Sequence, residues 1–136
     1  MLCRHLAFLL PRAVCENRGE KSVEDVIARA RLLGKTRVVF IHGEKGRASE
    51  MHFARVRALS WEWLEPVIRL KSVQFAPLPH ETPGCIVFKG ACSEIWRELL
   101  AEEECEDTHD ALVASCSTHS LKFMVKRKKA GVELVF

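Results

Sequence analysis

Residues 38–53 read VVFIHGEKGRASEMHF: an apolar run, a turn holding Gly43, Lys45, Gly46, Arg47 and Ser49, then alternation of apolar and polar positions. The apolar run of TRVVFIH (36–42) does not alternate, which predicts a strand packed on both faces. After the turn, Met51 and Phe53 fall on one face and His52, Ala54 and Val56 on the other, predicting a strand that returns beside its predecessor. A strand feeding a glycine-containing turn also raises the phosphate-binding loops. A Walker-type loop needs G-x-x-x-x-G-K-[ST] leading straight into a helix whose first amides hold the phosphates. Here only two residues separate the glycines, Lys45 precedes Gly46, and a strand pattern follows. The dinucleotide fingerprint G-x-G-x-x-G is absent as well. What remains is a tight turn that projects Lys45 and Arg47 from a strand pair. Such side chains suit the phosphates of a polynucleotide backbone, contacts that ignore sequence and weaken as salt rises. The alternative is a charged hairpin tip that serves only solubility.

Upstream, SVEDVIARARLLG (22–34) predicts a helix. Ser22 suits the N-cap, Asp25 favours the positive end of the dipole, and Gly34 is a natural stop. Val23, Val26, Ile27, Ala30 and Leu33 form its apolar stripe. Leu2, Leu6, Leu9 and Leu10 predict a short first helix ended by Pro11. Downstream, residues 58–76 mix Trp61, Trp63, Val67, Leu70 and Val73 in a strand-rich manner, with Pro66 at an edge or bend. PLPHETPG (77–84) is a loop by composition, and GCIVFKG (84–90) a short strand. SEIWRELLAEEE predicts a second amphipathic helix capped by Ser93, with Ile95, Leu99 and Leu100 on its apolar side. ALVASC, LKFMVK and VELVF predict further strands, with RKKAG as a basic hairpin tip between the last two. The fold class is therefore α/β (mixed α+β): a mixed sheet with helices packed on it, in a single domain over residues 1–136.

The chain has 136 residues, 48% of them apolar, enough for one packed domain. The N-terminal apolar stretch 6–10 is too short for a secretory core and no stretch approaches a membrane span, so we expect a cytosolic, non-membrane protein. The six cysteines, at 3, 15, 85, 92, 105 and 116, show no paired spacing and no CxxC, so they read as unpaired buried hydrophobes. Net charge is +3, but its distribution is uneven. Residues 1–57 hold 12 Lys/Arg against 6 Asp/Glu, residues 58–119 hold 4 against 11, and residues 120–136 hold 5 against 1. If the basic ends meet in the fold they form one positive face suited to polyphosphate; separate solvated faces are the alternative.

Catalytic arrangements find little support. Cys116 has His119, His109 and Asp110 nearby in sequence, yet it sits in an apolar run where a core role is expected. Cys105 with His109 is half a metal motif, and the acidic cluster 102–104 lacks a histidine to complete a site. No catalytic residue, metal ligand or cofactor is assigned.

The segment 16–53, from ENRGEKSVEDVIARARLLGKTRVVFIHGEKG to RASEMHF, resembles the Brix-domain proteins, in particular their short archaeal members. The positions that carry the resemblance are Asn17, Arg18, Gly19, Ser22, residues 39–42, Gly46 and Phe53. It implies a fold of two similar α/β halves, akin to the anticodon-binding domain of class II aminoacyl-tRNA synthetases. It also implies ribosome biogenesis through non-catalytic binding of pre-ribosomal RNA, with ribosomal proteins or other assembly factors as further partners. The family usually opens with a strand ahead of its first helix, so we expect that N-terminal strand to be missing here. On this reading Arg12, Arg18, Lys21, Lys45 and Arg47, with Lys126, Arg127, Lys128 and Lys129, contact RNA phosphates, and the protein acts as a monomer. Trp61 and Trp63 either stack on unpaired bases or serve packing. Two other readings compete: a protein-interaction module docking on ribosomal proteins through its acidic middle, and a thiol enzyme centred on Cys116.

Overall fold

A computed structural model describes residues 1–100, 104–106 and 111–136. Among these residues three helices, α1 (Leu2–Leu9), α2 (Val23–Leu32) and α3 (Ser93–Leu100), pack with eight strands. The strands are β1 (Arg37–Glu44), β2 (Arg47–Val56), β3 (Trp61–Arg69), β4 (Ser72–Phe75), β5 (Ile86–Gly90), β6 (Leu112–Cys116), β7 (Ser120–Val125) and β8 (Lys128–Val135). They form a three-stranded sheet, β1-β2-β3, and a five-stranded sheet, β4-β8-β7-β6-β5. All pairs are antiparallel except β5 with β6. The mixed α+β class agrees with the sequence; the strands divide into two sheets where one was expected.

The opening segment forms the first hairpin. Lys45 (φ 51°) and Gly46 (φ 78°) both take left-handed backbone, the condition for a two-residue turn whose twist matches its strands. β1 does not alternate because its two faces meet different cores. Val38 and Phe40 pack with Ile27 and Ala30 of α2, while Val39 and Ile41 pack against the main core with Met51 and Phe53. Only Phe40 of β1 is fully buried, however, since β1 is an edge strand. α2 begins with a complete capping box: Ser22 Oγ accepts from the Asp25 amide, and Asp25 accepts from the Ser22 amide. Gly34 (φ 70°) follows its C-cap.

Behind the first sheet, α3 fills the space between the two sheets. Trp96, 1% exposed, lies edge-on to Phe53 of β2 at 6.0 Å and touches Phe136 at 5.8 Å. Arg37 and Arg55 both pair with Glu98 of α3, tying the first sheet to the second half of the chain. The apolar side of α3 is Trp96, Leu99 and Leu100; Ile95, expected there, is 45% exposed because the helix turns the 96/99/100 stripe inward.

Each half places a helix ahead of a three-stranded antiparallel meander: α2 before β1-β2-β3, and α3 before β6-β7-β8. The second half also has β5, parallel to β6 and joined to it through α3. Among the described residues no strand occupies the equivalent place beside β1.

The cysteine reading is corrected. Cys3 joins Cys15, Cys85 joins Cys105 and Cys92 joins Cys116, with Cα separations of 5.6, 5.8 and 5.5 Å. Partners separated by 12, 20 and 24 residues are brought into bonding range by the fold, which spacing alone does not reveal. Cys116 is buried as expected but is a disulfide partner, so it carries no free thiol, and the thiol-enzyme reading loses its nucleophile. His109, Asp110, Glu102 and Glu103 lie outside the described residues.

Candidate nucleic-acid interface

The residues ahead of α2 form a turn against the open side of β1. Asn17 Oδ1 accepts from the Gly19 amide at 3.2 Å, and Arg18 Nε donates to the Lys21 carbonyl at 3.0 Å. This holds the Arg18 guanidinium over the Phe40 ring, 5.4 Å from its centroid. Asn17 therefore shapes the turn, as its residue type suggests. The Cys3–Cys15 disulfide anchors the same segment to the start of α1.

Between this turn, the β1–β2 hairpin and β4 runs a cleft of about 1440 Å³. Seven cations line it, Arg4, Arg18, Lys21, Arg29, Lys45, Arg47 and Lys71, against two carboxylates, Glu16 and Glu44. Glu16 is committed: it accepts from Arg29 at 3.0 Å and lies 3.8 Å from Lys21. The Arg29 hydrogen bond is the main reason its carboxyl is held below the ordinary carboxylate range, and the same bond raises Arg29. Among the described residues no acidic side chain engages Arg4, Arg18, Lys45, Arg47 or Lys71, and Lys45 and Arg47 stand exposed at the hairpin tip. The cleft thus carries surplus positive charge, which draws polyanions.

Of the nine residues expected to meet phosphates, Arg18, Lys21, Lys45 and Arg47 share this cleft. Arg12 lies outside it; its backbone is left-handed (φ 58°) and its carbonyl accepts from Lys35 Nζ. The C-terminal group is also elsewhere. The β7–β8 turn is made by Lys126 (φ 53°) and Arg127 (φ 64°), and Lys128 already begins β8. The tip is therefore shorter than RKKAG suggested; Gly131 (φ 68°) sits inside β8, packed against Leu9 and Leu78. Ser72 of β4, on the cleft, pairs with Val135 at the far end of β8, which puts Lys128 roughly 23 Å away along the strand. Lys129 is engaged by Glu133 at 3.6 Å. The basic ends of the sequence therefore form two patches, not one face.

Sequence reasoning missed Arg4, Arg29 and Lys71. No local motif marks them; they join the cleft because α1, α2 and β4 converge there. No group of three or more His, Cys, Asp or Glu side chains is arranged for a metal ion among the described residues. Among the described residues no helix is long and apolar enough to cross a membrane.

No protein-family model matches the chain, and no curated protein matches it either. Among solved structures it is similar to the crystal structure of a probable ribosomal biogenesis protein from Aeropyrum pernix K1. The TM-score is 0.76 at 15% sequence identity, over 96% of this chain and 83% of the other. At that identity the likeness shows a common fold.

Proposed function

We propose that the chain is a non-catalytic ribosome-biogenesis factor that holds pre-ribosomal RNA by its phosphate backbone. The observation that carries this reading is the cleft, where five cations that no acidic side chain engages among the described residues face one space between the α2 turn, the β1–β2 hairpin and β4. The shared fold with a protein described as a probable ribosomal biogenesis protein adds support, as does the Brix-like segment 16–53. Arg4, Arg18, Lys45, Arg47 and Lys71 make the principal contacts, with Lys21 beside them paired to Glu16, and the separate tip at Lys126, Arg127, Lys128 and Lys129 provides a second, weaker one. The work is cytosolic, with assembly factors or ribosomal proteins as neighbours. Three disulfides are uncommon in cytosolic proteins outside hyperthermophilic archaea and bacteria, so the cysteines give this location no support of their own.

Filter binding of the full chain to a ribosomal RNA fragment across a salt series tests the reading. A steep fall in affinity with salt is expected. Absence of binding at low salt overturns it.

A further inference from the structure

We infer that the open face of the first sheet is a base-stacking site, centred on Trp63, for unpaired nucleotides of single-stranded RNA; the inference rests on the RNA-binding reading above. α2 covers only one end of this face, over Phe40, Ala54, Val56 and part of Trp61. Beyond it a row of rings crosses all three strands. His42 of β1 meets His52 of β2 at 4.8 Å, His52 meets Trp63 of β3 at 6.2 Å, and Trp63 meets Phe40 at 5.4 Å and Trp61 at 5.2 Å.

These rings differ in what they can offer. Trp61 is committed to the fold, half-buried with its Nε1 donating to Glu24 at 3.2 Å. Trp96 is sealed in the core. Trp63 is 48% exposed, yet three rings at interplanar angles of 61° to 85° fix its orientation. A large aromatic held still at the surface binds a flat ligand with little further loss of side-chain freedom.

Charge decides which flat ligand fits. Arg18 lies over Phe40 on the β1 side of the row, whereas on the β3 side Arg69 is paired at 3.7 Å with Glu50, which also bonds His52 at 2.9 Å, so the surplus positive charge lies on the side of Arg18 and the cleft. His42 also lines the basic cleft, so the rings continue from the surface that holds phosphates. A strand with its backbone along Lys45 and Arg47 can turn bases onto Trp63, whereas in a duplex the bases are stacked inside and unavailable.

The test compares binding of the full chain to an unstructured RNA oligonucleotide and to its duplex, in the unsubstituted protein and in Trp63→Leu. Leucine keeps apolar bulk but removes the π-face. The single strand should bind more tightly than the duplex. Trp63→Leu should weaken single-strand binding by about 5- to 150-fold, the span of one lost stacking contact, with the salt slope unchanged. Ultraviolet crosslinking of the unsubstituted protein to the oligonucleotide should mark the peptide containing Trp63, a readout that does not depend on the variant folding. Equal binding of single strand and duplex, wild-type affinity in Trp63→Leu, or crosslinks only elsewhere would each sink the stacking site while leaving backbone binding intact. Failure of the unsubstituted chain to bind either RNA removes both readings.

Discussion

Neutralising the β1–β2 tip offers the sharpest test of the cleft, provided the hairpin survives the change. Lys45 occupies a left-handed position ahead of Gly46, so Lys45→Asn is the apt substitution: Asn-Gly is the favoured pair for such turns. Arg47→Gln removes the second charge at an exposed site. The cleft has five cations without acidic partners among the described residues. If all five displace counterions from a single strand, the slope of log affinity against log salt is about −3.5, and without the tip about −2.1. Between 50 and 200 mM salt this means a loss of roughly 130-fold for the unsubstituted protein and roughly 18-fold for the double variant. Fluorescence anisotropy with a labelled rRNA fragment over that range measures both slopes, and a thermal melt checks that the hairpin is intact. A slope unchanged by the double substitution would show that Lys45 and Arg47 touch no phosphate, and the cleft would lose its role.

Other consequences concern the frame that carries the site. Ser22→Ala removes one arm of the α2 capping box and should lower stability by about 1 kcal/mol in chemical denaturation. Trp96→Ala empties the space between the sheets and should cost about 3–5 kcal/mol, read as a fall in denaturation midpoint at unchanged slope. At Gly90 (φ 102°) an added Cβ would lie 1.8 Å from the Cys116 carbonyl oxygen, so Gly90→Ala should cost about 3 kcal/mol or more, or prevent folding; wild-type melting would contradict that packing. Glu16, held below the ordinary carboxylate range mainly by Arg29, contributes stability that is present above its unfolded-state value and is lost as pH falls through its folded value. Glu16→Gln should therefore lower stability slightly at neutral pH and leave the acid end unchanged, so that the acid limb flattens; an acid limb as steep as in the unsubstituted protein would contradict the pairing.

Much of the local structure was written in short stretches. The Ser22–Asp25 box, the Gly34 stop, the Lys45–Gly46 turn and the alternation of β2 depend on backbone preferences and on neighbours a few residues away, so sequence reveals them. The apolar side of α3 was read one position off, because Ile95 and Trp96 both fit a helical stripe and only packing against Phe53 selects Trp96.

What the residues by themselves determined is the class of fold, the order of most elements and the identity of the cations at the hairpin tip. The tertiary structure alone decided that six scattered cysteines pair, that Arg4, Arg29 and Lys71 join Arg18 at one cleft, and that the C-terminal lysines stand apart from it. It also left Trp63 half-exposed while burying Trp96. The division has a physical cause: dihedral preferences and periodicity act over a few bonds, whereas disulfides, charge clusters and exposure depend on which distant segments the chain folds together.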